Sequence, residues 1–232
     1  MDFKDQFVGF LLDSGALTFG DFTLKSGRKS PYMVNMGLFN TGASLSRLGC
    51  FYAHAIEEKI GQGVIPGETN ILFGSAYKGI PLASAASIAM ASEYDRAIGY
   101  TFNRKETKDH GEGGVFVGKK PGAGDRILII DDVMTAGTAL RDTFDLLSFH
   151  APEAKVVGSI IAVDRKECGR DPRFSAVDEA QNELGIPVFS IVDIDEILGT
   201  LKMGAIEGTE EYDQIGAIEK YLERYRPGCV HL

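Results

Sequence analysis

Cysteine is scarce and scattered in this chain. Cys50, Cys168 and Cys229 are odd in number, far apart and without C-x-x-C spacing. That pattern excludes a disulfide framework and the usual ligand spacing of a zinc site, and points to reduced thiols in a cytoplasmic compartment. Long apolar runs are missing as well. The most uniformly small or apolar stretch, IPLASAASIAMAS, is shorter than the about 20 residues that a membrane-spanning helix needs, so no membrane partner is expected. The opening MDFKDQF carries charges where a signal peptide has its apolar core, which argues against secretion. Positive charge is in deficit: the formal net charge of −9 argues against nucleic acid or an anionic membrane as the main partner. An acidic protein binds a polyanionic small molecule only where it concentrates positive charge locally or recruits a metal. No repeat, low-complexity tract or Pro/Ser linker divides the chain.

With 44% hydrophobic residues, the 232-residue chain can bury a substantial core. Phe3, Phe7, Phe10 and Leu11 recur at helical spacing, with Gly15 as the stop. FTLKSG and SPYMVNM read as short strands around a Gly-containing turn, and Thr41 as the cap of a helix ending at Gly61. From there strands alternate with helices. NILFG, AIGYTF, RILIID, KVVGSIIAVD and PVFSIV are the strands; IPLASAASIAMASEY, TALRDTFDLLSFH and AVDEAQNEL are helices between them, and further helical patterns close the chain. Unbroken apolar strands alternating with helices are what a parallel sheet buried on both faces requires. The expected fold is α/β: one doubly wound domain over residues 1–232, a parallel sheet flanked by helices, with residues 1–40 as a small, hood-like appended element. Ligands of such sheets bind beyond the carboxyl ends of the strands.

At one of those ends, RILIID runs into DVMTAGTA, so Asp131 and Asp132 sit side by side at the mouth of the sheet. A single Asp there reads equally well as a helix cap or a loop hydrogen bond; two in a row before a small-residue loop do not. Thr135, Ala136, Gly137 and Thr138 are small enough for backbone N–H groups to approach a ligand, and a helix N-terminus behind them makes an anion cradle suited to phosphate. Carboxylates beside a phosphate must bond something else, either hydroxyl groups or a bridging cation. The implied ligand is a phosphorylated polyol with Mg²⁺. Two other phosphate-binding patterns fail: no G-x-x-x-x-G-K-[ST] occurs, and GQGVIPG has the wrong spacing for a dinucleotide fingerprint and precedes a strand.

A second stretch, FNRKETKDHGEGG, interleaves Arg104, Lys105, Lys108 and His110 with acidic residues and ends in glycines. On composition it is a polar, mobile loop, ordinarily just a solvated one, whose glycines permit hinging and whose basic side chains could close over a diphosphate.

ILIIDDVMTAGTA resembles the 5-phosphoribosyl 1-diphosphate (PRPP) motif of the type I phosphoribosyltransferases. FTLKSGRKSPYMVNMGLFNTG, LFGSAYKGIPLA and FNRKETKDHGEGG are similar to the orotate-specific branch of that family and extend the resemblance over most of the chain. The resemblance implies transfer of the phosphoribosyl group of PRPP to orotate, giving orotidine 5′-monophosphate and diphosphate, a step of pyrimidine nucleotide biosynthesis. It implies that Asp131 and Asp132 hold the ribose hydroxyls. The run Val133, Met134, Thr135, Ala136, Gly137, Thr138 and Ala139 would surround the 5′-phosphate. Tyr77 and Lys78 would lie near the diphosphate, with Ser75 standing where the family usually has proline. Arg104, Lys105, Lys108 and His110 would contact PRPP from a catalytic loop, residues 102–115, that folds over the neighbouring subunit's site in a homodimer. Lys25 would reach PRPP and base, and Thr135 the base. Arg165 would pair with the orotate carboxylate, a role that suits a forked guanidinium. Met33 and Val34 take positions that line the base pocket and are commonly aromatic in bacterial and yeast members. Mg²⁺ would be held mainly through PRPP, with no direct protein ligand.

Two alternatives stay open at this stage. One is a phosphoribosyltransferase for another base, which the loop and Arg165 disfavour. The other is a non-catalytic PRPP-binding regulator, disfavoured because no DNA-binding segment or basic face is evident and Lys105 and Lys108 are retained.

Overall fold

The structure, a computed structural model, describes residues 2–24, 27–108, 114–204 and 210–228; of residues 106–108 and 210–212 only the backbone is described. Helix α1 (Phe3–Asp13) starts in a capping box between Asp2 and Asp5 and stops before Gly15, whose φ of 69° is the left-handed conformation that glycine tolerates. A two-stranded antiparallel hairpin follows, β1 (Leu17–Thr23) and β2 (Lys29–Val34). The first strand therefore lies about one turn of chain earlier than FTLKSG suggested. Leu24 and Arg28 bracket the reversal between the two strands, the Leu24 N–H donating to the Arg28 carbonyl over 2.9 Å.

Helix α2 (Gly42–Gly61) has Thr41 as its cap, the Ser44 N–H donating to Thr41 Oγ1 over 3.2 Å. The main sheet then alternates with helices: β3 (Ile71–Gly74), α3 (Gly79–Tyr94), β4 (Gly99–Lys108), β5 (Gly114–Gly118), β6 (Arg126–Val133), α4 (Thr138–His150), β7 (Lys155–Asp164), α5 (Ala176–Leu184), β8 (Val188–Asp193), α6 (Ile194–Gly204) and α7 (Glu210–Tyr225). The strand order is β5-β4-β3-β6-β7-β8, parallel except for β5. Part of FNRKETKDHGEGG is thus not loop: β4 continues to Lys108 and pairs antiparallel with β5. The alternating Val115, Phe116 and Val117 supply the edge strand that a reading by charge passed over.

Side chains along β6 alternate between two cores. Ile127 and Ile129 pack with Leu140 and Leu147 of α4 and with Val177 and Ala180 of α5. Leu128 and Ile130 face the other way, into the core shared by α1, α2, α3, α6 and α7. Both faces are covered, which is why the strand is apolar at every position up to the carboxylates. Among the described residues no helix is long and apolar enough to cross a membrane.

The chain winds outward from β3 to β5, then returns to β6 on the other side of β3, so β3 and β6 flank the point where strand order reverses. A crevice opens there past the strand ends. Helices α2 and α3, which roof this part of the sheet, cross at Gly49, where an added Cβ would lie 2.6 Å from the Ala85 carbonyl oxygen. Replacing Gly49 by Ala should force the helices apart and cost about 1–3 kcal/mol. Urea denaturation measures this, and an unchanged midpoint would contradict so tight a crossing.

Candidate active site

The ends of β3 and β6 carry the chemistry. Asp131 is half-buried and Asp132 is 7% exposed. Each carboxylate accepts the next residue's N–H over 2.9 Å, Asp131 from Asp132 and Asp132 from Val133. The second oxygen of Asp132 takes the Lys78 ammonium at 2.7 Å, which raises the lysine pKa and keeps it charged. The Asp131 carbonyl accepts from Tyr52 of α2 at 2.7 Å. Burial, and then the charge of Asp132, push the Asp131 carboxyl up to about 6.

Lys78 can reach Asp132 because the GSAYKG loop is pinched shut. A Cβ on Gly74 would lie 1.9 Å from the Gly79 carbonyl oxygen, and one on Gly79 would lie 2.7 Å from Gly74 backbone. Asn103 of β4 ties the loop sideways by accepting the Ala76 N–H at 3.0 Å. Tyr77 stands 68% exposed with the Lys105 ammonium 4.6 Å from its ring centre. Lys105 therefore lies beside Tyr77 of its own chain. The β4 strand carries it there rigidly, a placement that a loop reading could not give.

Helix starts differ in how they are capped. Asp2, Thr41 and Ser175 cap α1, α2 and α5 with side-chain oxygens, whereas α3 and α4 begin with no side-chain cap. Both helices start at the crevice; in α3 the Gly79 and Ile80 N–H groups donate to the Ser75 and Tyr77 carbonyls at 2.9 and 3.3 Å, while the start of α4 has no side-chain cap of its own. In the α4 loop Gly137 has φ 71°. Arg141 folds back to donate to the Ala136 carbonyl at 2.6 Å and is itself held by Glu183. Thr135, Ala136, Thr138 and Ala139 are exposed, but Met134 is buried in the α4 core and Val133 packs half-buried on the opposite one, so these two offer a ligand mainly backbone.

A cleft of about 290 Å³ continues from Thr135 and Ala136 to Arg28, Arg165, Glu167 and Cys168. Arg165 is only 6% exposed; its Nε and Nη2 meet Glu167 at 2.8 and 2.7 Å, Nη2 also donates to Ser30 at 3.0 Å, and the guanidinium lies 4.1 Å from the Tyr32 ring centre. The Nε–Nη2 edge of the fork is taken by the protein itself, which the sequence did not reveal. Met33 and Val34 point to opposite faces of β2: Val34 is buried in the core while Met33 is half-exposed, so they do not form one joint surface. Lys25 and His110 lie outside the described residues, as does Cys229, and the Lys108 side chain is likewise not described. Tyr52, Asn103, Arg28, Arg141 and Glu167 escaped the sequence reading; only their neighbourhood to quoted motifs could have flagged them.

The comparisons agree with this geometry. Residues 51–192 match the family model described as a phosphoribosyl transferase domain, which defines the class. An orotate phosphoribosyltransferase of Bifidobacterium animalis subsp. lactis is 47% identical over 95% of this chain and 96% of its own, and one of Pseudomonas aeruginosa is 44% identical over 96% and 98%. The crystal structure of the Francisella tularensis orotate phosphoribosyltransferase superposes with a TM-score of 0.79 at 38% identity, covering 95% of this chain and 99% of that one. The chain belongs to the orotate phosphoribosyltransferase family.

The raised Asp131 pKa has a testable consequence. A carboxyl whose folded pKa of about 6 exceeds its unfolded value near 3.8 binds its proton more tightly when folded. Its stabilising contribution is full below pH 4 and disappears as pH rises through 6. Asp131→Asn should therefore stabilise the fold at pH 7.5 by on the order of 1–3 kcal/mol while impairing activity, with the gain shrinking toward pH 4. Denaturation curves at both pH values check it; a variant less stable at pH 7.5 would contradict the strained-carboxylate assignment.

Proposed function

We propose that these residues carry out phosphoribosyl transfer from PRPP to orotate as follows, within one domain whose first 40 or so residues form a hood over the base side. The observation that supports this most directly is the pairing of a ribose-sized acceptor site, Asp131 and Asp132, with two uncapped helix starts on either side of it. The carboxylates accept the 2′- and 3′-hydroxyls of the ribose. The α4 loop, Thr135 to Ala139, takes the 5′-phosphate on its backbone N–H groups and threonine hydroxyls. The start of α3, with Lys78 and Tyr77, faces the diphosphate.

As the C1–O bond to diphosphate breaks, positive charge develops on the ribose ring and negative charge on the leaving group. Lys78, Lys105, Arg104 and Lys108 stabilise the departing diphosphate, and His110 bonds or protonates one of its oxygens. With the ring anchored at hydroxyls and phosphate, C1 is fixed against the incoming orotate nitrogen. Orotate is already an anion, so no strong base is required. Arg165, with Lys25, Thr135 and Met33, holds it; its carboxylate meets the Nη1 end of the guanidinium, since Glu167 occupies the other edge. Val34 supports this wall from the core side.

Among the described residues no cluster of three metal-ligating side chains occurs. Two adjacent carboxylates, one already bonded to a lysine, fit a cation that arrives on PRPP better than one caged by protein. Mg²⁺ bound in this way supplies further neutralisation of the diphosphate. Closure of the 102–115 segment over the neighbouring subunit's site in a homodimer would exclude water. The free thiols of Cys50 and Cys168 accord with a cytoplasmic setting.

Steady-state assays with orotate, uracil, adenine and hypoxanthine, each with and without Mg²⁺, test the acceptor. Orotate should be the base consumed, with Mg²⁺ required; turnover of a purine but not orotate would refute the assignment. Site sharing is tested by mixing Lys108→Ala subunits with subunits carrying Asp131→Asn and Asp132→Asn. Some heterodimers should regain one working site, and confirmed heterodimers without recovered activity would refute sharing.

A further inference from the structure

We infer that Glu167 is a positioning residue for the acceptor: it fixes the edge that Arg165 presents to the base and locks that arginine to the β1–β2 hairpin. The inference rests on the reading of Arg165 as the group that receives the orotate carboxylate. Glu167 is itself 9% exposed and lies between two guanidiniums. One of its oxygens accepts from Arg165 Nε at 2.8 Å and meets Nη2 at 2.7 Å. The other accepts from Arg28 Nη1 at 3.2 Å. Arg28 belongs to the turn between the hairpin strands, and its Nη2 donates to the Cys168 carbonyl at 3.1 Å. Its guanidinium lies 5.2 Å from the Tyr225 ring centre of α7.

A buried carboxylate is costly unless its partners repay the desolvation, and two guanidiniums this close need a negative charge between them. Glu167 meets both demands, and the remainder of the arrangement leaves Arg165 little freedom. Tyr32 stacks on the guanidinium, Ser30 accepts from Nη2, and Glu167 takes the Nε–Nη2 edge. None of these three contacts uses Nη1, the end of the fork that the proposal assigns to the ligand. The other cations on this cleft have partners of their own: Lys166 is paired with Asp193 and Asp195, and Arg170 with Glu179 and Glu183. Removing the Glu167 charge frees Arg165 to rotate and sets it against Arg28, which acts on the base and leaves the phosphate loop and the Asp131–Asp132 pair untouched.

The test is a split between two Michaelis constants. Glu167→Gln should raise KM for orotate about tenfold, leave KM for PRPP within about twofold, and change kcat less than KM, as loss of an oriented ground-state contact requires. Glu167→Asp keeps the charge with a shorter reach and should fall between wild type and Glu167→Gln. An orotate KM within about twofold of wild type, or equal rises in both constants, would overturn the role. Should Glu167→Gln fail to fold, Arg28→Gln carries the test, because it removes one arm and leaves the Arg165 contact in place. Its orotate KM should rise about threefold with PRPP unaffected, and an unchanged orotate KM would overturn the proposal. Wild-type turnover of orotate is measured alongside: its absence rejects the acceptor assignment, whereas normal turnover with unmoved constants in the variants rejects the role of Glu167 alone.

Discussion

Two carboxylates side by side at the end of a buried strand are the constraint around which this fold is arranged. Burial disfavours the charge of Asp131 and the neighbouring charge of Asp132 disfavours it further. The molecule offsets this with local contacts: a backbone N–H for each carboxylate, the Lys78 ammonium on Asp132, and the Tyr52 hydroxyl holding the Asp131 backbone. Each demands something of a distant element. Lys78 reaches Asp132 only because Gly74 and Gly79 let the chain double back within a single loop. Tyr52 reaches Asp131 from α2, which is set closely against α3 where Gly49 meets Ala85. The offset is incomplete, and an incompletely satisfied hydrogen-bond acceptor is what a polyhydroxylated ligand can use.

What could be read in the sequence was what is local in the sequence. The proposed donor side lies in one strand–loop–helix unit from Arg126 to His150, so spacing, side-chain size and charge along a short stretch pointed to it. Parallel strands declared themselves through unbroken apolar runs, and Thr41 marked the start of α2. The misreadings have local causes too. FTLKSG looked like a strand because its apolar residues alternate, yet β1 ends at Thr23 and the Leu24 N–H already donates across to Arg28. The β4–β5 pairing was hidden because Arg104, Lys105 and Lys108 were weighed as charges on a loop, while a ladder depends on Phe102, Phe116 and Val117 as much as on them.

The acceptor side was illegible for a different reason. Arg28 and Glu167 are 139 positions apart, and Arg165 and Ser30 are 135 apart. Nothing in either segment alone announces that one buried carboxylate will serve two arginines, or that Tyr32 will lie under one of them. Such information lives in tertiary contacts and appears only once the hairpin is seen lying against the loop after β7. The same distance separates the two recognition tasks physically. On the proposed assignment, substitutions around Arg165 retune base binding without disturbing the α4 loop, which is held by Arg141 and Glu183 instead.

The base side also leans on α7, through Tyr221 against Tyr32 and Tyr225 beneath Arg28. That packing gives synthesis on the ribosome a temporal order. The strand, loop and helix proposed to grip the sugar phosphate, with Glu183 that holds Arg141, are complete by residue 183, about 40 residues before the last support of the hairpin is made. On the proposed assignment a nascent chain can therefore assemble its sugar-phosphate side before its base side, which is completed only as the final helix docks.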